Sequence, residues 1–91
     1  MLDLRFSTKF KRDIKRCQNR NYNLKLLQDT IDILRIPQKL PEKNYEHTLK
    51  GSYKGYLECH IKPDWLLVYK TTNTELILAR TGSHTDIFDS Q

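Results

Sequence analysis

Apolar positions of this chain of 91 residues begin with a short alternation, turn to helical spacing and then return to alternation. The second change divides the chain into a helical half and a stranded half. Leu2, Leu4 and Phe6 alternate with Asp3 and Arg5, which predicts a short strand. Ser7 follows as a candidate helix cap. Phe10, Ile14 and Cys17 then recur at helical spacing, with basic residues on the other faces. The polar run 19–23 interrupts the pattern. Leu24, Leu27, Ile31 and Leu34 form a second stripe, widened by Leu26 and Ile33, and this is the strongest helical signal in the chain. Pro37 is expected to end it. Two consecutive helices most simply form a hairpin that covers one face of a sheet.

Residues 35–44, with Pro37 and Pro41, read as a loop within the domain, and after it the period becomes two. Residues 45–49 predict a short strand and 51–55 a glycine-bearing turn. Residues 56–61 carry Leu57, Cys59 and Ile61 on one side and Tyr56, Glu58 and His60 on the other. Pro63-Asp64 begins a turn. Residues 65–70 are apolar and β-prone, Thr72-Asn73-Thr74 turns again, and 76–81 make the next strand. The prediction is an α+β fold in one domain over residues 1–91. Its two N-terminal helices pack on one face of a mainly antiparallel meander, to which the first strand is added.

Charge sharpens this picture. The formal net charge is +5, and Lys9, Lys11, Arg12, Lys15, Arg16 and Arg20 all fall within twelve residues. Such a surface attracts polyanions through counterion release. An acidic protein is attracted equally well, and a solvated helix face is the plain alternative. The two cysteines, Cys17 and Cys59, follow no secretory signal, so reduced, buried thiols in a cytoplasmic protein are expected. No apolar run approaches the ~20 residues of a membrane span, so no membrane partner is expected.

The three histidines, His47, His60 and His84, all lie in the stranded half. Imidazole titrates near neutrality and suits proton transfer. In a small basic protein it suggests acid–base chemistry on an anion, of which RNA phosphodiester cleavage is the best-known case. His60 is expected on the open sheet face, followed at the same sheet edge by Asp64 and Trp65. Asp64 either orients an imidazole or simply forms the turn. Trp65 reads as core packing more readily than as a stacking platform. Arg80, Gly82 and His84 at a strand end form either a phosphate site or a capped end with a surface histidine. Lys50 and Lys54, around the glycine turn, are phosphate contacts or solvated lysines. Histidines and cysteines supply ligand types for zinc. However, there is no Cys-x-x-Cys or His-x-x-x-His, and Cys59 and His60 point to opposite faces, so no metal and no cofactor are expected. Cys59 itself is expected to be an inert buried thiol.

Three stretches stand out together. They are Glu46-His47-Thr48-Leu49-Lys50-Gly51-Ser52-Tyr53-Lys54-Gly55-Tyr56, then His60-Ile61-Lys62-Pro63-Asp64-Trp65-Leu66-Leu67-Val68-Tyr69-Lys70, and last Arg80-Thr81-Gly82-Ser83-His84. In this order they closely resemble the YafQ branch of the RelE-type bacterial toxins; the N-terminal half resembles it only in organisation. The resemblance implies a microbial-ribonuclease-like (RelE-like) fold and an endonuclease that cuts mRNA in the 30S A site of the ribosome. It also implies a cognate antitoxin that neutralises the toxin and brings it to operator DNA. The family's functional positions fall on His47, His60, Asp64, Trp65, Arg80, His84 and Phe88. The expected mechanism is metal-free attack by the RNA 2′-hydroxyl, with His47 as base and His84 as acid. Those labels are interchangeable, and His60 is a candidate for either. His60 and Arg80 are expected to stabilise the phosphate, and Asp64 to orient a histidine. The alternative is a non-catalytic RNA- or protein-binding module of the same fold.

Overall fold

The computed structural model describes residues 1–36, 47–48 and 53–89, with His47, Thr48 and Asp89 described by backbone alone. The expected loop at Pro37 and Pro41, the ends of the strand at Tyr45 and Leu49, and Lys50, Gly51 and Ser52 lie outside these residues. The elements are β1 (Asp3–Phe6), α1 (Thr8–Asn19), α2 (Leu24–Leu34), β2 (His47–Thr48), β3 (Leu57–Lys62), β4 (Trp65–Thr71) and β5 (Glu75–Gly82). A wide π-helical turn, Thr85–Asp89, follows β5.

The strands form one sheet in the order β1-β5-β4-β3-β2. β2 to β5 make the expected antiparallel meander, and β1 joins β5 in parallel. Hydrophobic alternation sorts the two sheet faces. Cys59, Trp65, Leu67, Tyr69, Leu76 and Leu78 meet Phe10 and Cys17 of α1 and Leu27, Ile31 and Leu34 of α2. Leu66 and Val68 point the other way and pack under Ile87 of the terminal turn. Leu67, Leu76 and Leu78 have no exposed surface. Each contributes about 2–3 kcal/mol by leaving water.

Local chemistry sets where α1 sits. Ser7 Oγ accepts from Phe10 N (2.9 Å), capping the helix, and donates to Ala79 O (2.7 Å). One hydroxyl therefore starts α1 and ties it to β5. α1 ends at Arg20, and Asn21 adopts a left-handed backbone (φ 59°) that lets Tyr22 N return to Cys17 O (3.0 Å). Asn23 then caps α2 by accepting from Lys25 N (3.2 Å).

β1 pairs only as far as Leu78, so β5 runs past it with an open edge. There the register shifts: Tyr69 faces Leu78 while Val68 faces Arg80, and Ala79 is the extra residue of a β-bulge. The bulge carries Arg80 onto the face of Leu66 and Val68. Asp13 of α1 reaches the same open edge.

Candidate functional site

Four segments converge beside the face opposite the helices: β3, the β3–β4 turn, the end of β5 and the terminal turn. Glu58 and His60 of β3 pair with Val68 and Leu66, and so share the face that Ile87 covers. The Pro63-Asp64 turn brings a carboxylate to His84. Asp64 Oδ1 accepts from His84 N (3.0 Å) and lies 2.6 Å from His84 Nδ1. The backbone bond first, and the ring contact second, hold the Asp64 carboxyl below the usual carboxylate range. An ionised Asp64 needs a donor at Nδ1, which leaves Nε2 of His84 to take or give a proton. Both side chains are open to solvent, His84 by 52% and Asp64 by 70%.

The His60 and His84 rings lie 5.9 Å apart, and the Phe88 ring is 6.5 Å beyond His84. Tyr53 extends the aromatic row, 6.3 Å from Phe88 and 6.3 Å from Tyr56. His60 Nε2 stands 3.8 Å from Glu58 Oε1. One ligand atom each from Glu58, His60 and His84 falls within 4.8 Å of the others, so these three are the side chains that could hold a metal ion among the described residues.

Arg80 forms the second layer. It is 7% exposed. Its Nε donates to Asp13 Oδ2 (2.7 Å), its Nη2 to Asp13 Oδ1 (3.2 Å) and Asp86 O (3.1 Å), and its Nη1 to Tyr53 Oη (3.1 Å). Of its donors, one Nη1 hydrogen is left uncommitted among the described residues. The carboxylate of Asp13 holds this guanidinium firmly protonated. Asp13 itself is 1% exposed and also accepts from Thr81 N (3.1 Å) and Arg16 Nη1 (3.3 Å).

Asp86 locks the terminal turn. Its Oδ2 accepts from Ser83 N (3.0 Å) and its own N–H donates to Ser83 Oγ (3.1 Å), a reciprocal cap. Arg20 grips the same carboxylate at 2.6 and 3.1 Å. Burial pushes the Asp86 pKa up, but the bonds from Arg20 and Ser83 outweigh it and the carboxyl ends below its ordinary range. Gly82 makes this possible. Its φ is +147°, and a Cβ there would stand 2.9 Å from Asp86 Oδ2. The close approach that a glycine permits is taken here by this carboxylate.

Of the residues expected in the site, the structure gathers His60, Asp64, His84 and Phe88, with Arg80 joined to them through Tyr53. His47 stands across the ladder from Glu58. Trp65 belongs to the core: it is 3% exposed and its indole N–H donates to Thr81 Oγ1 (2.9 Å). Lys54 is exposed on the turn before Tyr56, and Lys50 lies outside the described residues. Cys17 and Cys59 are buried and free of disulfides. Sequence reasoning missed Asp13, Tyr53, Glu58 and Asp86. A signal for Asp13 existed: it lies three residues after Phe10 and four before Cys17, an acid on the apolar stripe of a basic helix.

Comparison with known proteins agrees with this fold. A family model described as "Bacterial toxin of type II toxin-antitoxin system, YafQ" matches residues 2–89. A relative from Escherichia coli (strain K12), named mRNA interferase toxin YafQ, is 36% identical over 89 residues, spanning 94% of this chain and 95% of that protein. The crystal structure of the E. coli DinJ-YafQ toxin-antitoxin complex superposes with a TM-score of 0.88 at 35% identity, covering 96% of this chain and 97% of that one. A metal-bound toxin from Helicobacter pylori superposes with a TM-score of 0.88 at 41% identity, covering 97% and 100%.

Proposed function

Because the chain belongs to the YafQ family of bacterial type II toxins, we propose that it is an mRNA endonuclease acting in the ribosomal A site and neutralised by a cognate antitoxin. The observation that carries this reading is the His60–His84 pair, 5.9 Å between rings on the sheet face opposite the helices, with Asp64 bonded behind His84. The relative named mRNA interferase and the relative bound to DinJ support the activity and the partner.

The chemistry needs only the RNA and these side chains. A base, His47 or His60, takes the proton of a 2′-hydroxyl. The freed oxygen attacks the adjacent phosphorus, and the bond to the 5′-oxygen breaks. His84 Nε2 gives that leaving oxygen a proton. The products are a 2′,3′-cyclic phosphate and a 5′-hydroxyl. Each proton transfer contributes about 10²–10⁴-fold. Arg80 offers its charge and its remaining Nη1 hydrogen to the phosphorane. Phe88, beside His84, offers a ring for a splayed base. Lys50 and Lys54 supply phosphate contacts.

The test is cleavage of ribosome-bound mRNA by the wild type and by His84→Ala, with 5′ ends mapped and folding checked by circular dichroism. The variant is expected to stay folded and lose at least about 10²-fold in rate. A folded His84→Ala chain that cuts normally refutes the assignment. A chain weakened only gradually by removing lysines and arginines is instead a non-catalytic binder.

A further inference from the structure

A cleft of about 430 Å³ opens beside the histidine pair, lined by Asn21, Tyr22, Asn23, Lys62, Asp64 and Trp65. We propose that it receives a nucleobase of the RNA strand, next to the nucleotide whose phosphate is cut. This rests on the nuclease reading above and adds a subsite to it.

Asp64 belongs to both places. Its Oδ1 is bonded to His84, while its Oδ2 takes no bond among the described residues. A group held in the cleft is therefore one side chain away from the proton-transfer pair. The back wall is aromatic and already set. Trp65 is fixed by its bond to Thr81, and the Tyr22 ring meets it edge-on at 4.8 Å. The near wall is equally fixed, because Asn21 N donates to Gln18 O (3.1 Å) and Tyr22 N to Cys17 O (3.0 Å). The rim is polar: the exposed amide of Asn21, the exposed ammonium of Lys62 and the exposed carboxylate of Asp64.

This combination selects among occupants. A phosphate or carboxylate would meet Asp64. A purely apolar group would leave the amide and both charges unused. A base presents a flat face to the rings and both donors and acceptors on its edge, as single-stranded RNA does to protein. The Asp64 carboxylate accepts from an N–H on the base edge, and the Asn21 amide can pair with a neighbouring edge group. Lys62 faces the backbone of the same strand.

The test compares wild type, Asn21→Gly and Lys62→Ala on ribosome-bound mRNA carrying a randomised codon, with 5′ ends mapped. Glycine keeps the left-handed backbone at position 21 and removes only the amide. The wild type is expected to show a base preference at one position flanking the cut. Asn21→Gly is expected to keep cutting while that preference falls about tenfold, the scale of one lost base-edge contact, whereas Lys62→Ala, which loses a backbone contact, is expected to weaken binding with the preference unchanged. An unchanged preference in folded Asn21→Gly overturns the subsite. A wild-type chain that cuts no RNA overturns the nuclease reading and this one with it. A second readout does not need cleavage. Trp65 is the single tryptophan, so binding of a 2′-deoxy-substituted, uncuttable oligonucleotide, followed by anisotropy, is expected to quench its emission. Binding without any change in emission overturns the proposal.

Discussion

Replacing Asp13 by asparagine tests the frame behind the site. The carboxylate is 1% exposed and accepts from Arg80 Nε, Arg80 Nη2, Thr81 N and Arg16 Nη1. Asparagine has nearly the same shape but keeps one acceptor oxygen and turns an NH₂ toward two of those donors. Two bonds to a charged group are lost, at about 1.5–3 kcal/mol each. Breaking one side of a buried ion pair costs about 3–5 kcal/mol by a separate route. Both figures point to roughly 4 kcal/mol, a large share of the ~5–14 kcal/mol expected for a chain of this length. Asp29→Asn is the control. Its pair with Lys25 is exposed, 3.2 Å apart and four residues along a helix, so its loss should cost under about 0.5 kcal/mol. Urea unfolding followed by circular dichroism measures both, with a lower midpoint and an unchanged slope expected for Asp13→Asn. A loss below about 1 kcal/mol at Asp13 would refute the reasoning, since the buried network would then be worth no more than a surface pair.

Three further outcomes are expected. Asp64 and Asp86 both have depressed folded-state pKa values. Their stabilisation is therefore complete above the ordinary aspartate value of 3.8 and is lost as pH falls through the lower folded values. Thermal melts between pH 7 and 3 should show Asp86→Asn with a shallower acid slope than wild type, and equal slopes would contradict this. Burial, helped by the negative charges of Asp13 and Asp86, pushes the Cys17 thiol up to about 11. Iodoacetamide at pH 8 should then label Cys17 only in urea; rapid native labelling would mean that α1 is not docked as described. Cleavage should survive EDTA, and zinc should slow it by occupying Glu58, His60 and His84; loss with EDTA that zinc restores would overturn the metal-free route.

Periodicity made the frame of the molecule readable. The stripes of α1 and α2 and the alternation of β3 follow directly from burial on one side, and the same alternation puts His60 on the face opposite the helices, which the terminal turn covers in part rather than leaving open. The Ser7 cap was readable because only a short polar side chain can meet the free N–H groups there. What could not be read comes from spatial coincidence. No residue type announces the bulge at Ala79, and without it Arg80 reads as an ordinary strand position. Asp13 meets Arg80 only because β5 outruns β1. Trp65 follows Asp64 directly, but it opens β4 with its side chain in the core, while Asp64 stays exposed in the turn. The Ser83-x-x-Asp86 box was visible in principle, but the turn it starts is too short to show a helical period.

The ion pair of Asp13 with Arg80 joins residues 67 apart, and that of Arg20 with Asp86 joins residues 66 apart. Synthesis therefore delivers one half of each tie long before the other. Until β5 emerges, Asp13 has, among the described residues, only Arg16 of its own helix as a partner for its charge, and α1 lacks its tie to the end of that strand. The centre around His84 needs the C-terminal segment to be present, so fragments that end before it are expected to be bystanders rather than weakened enzymes.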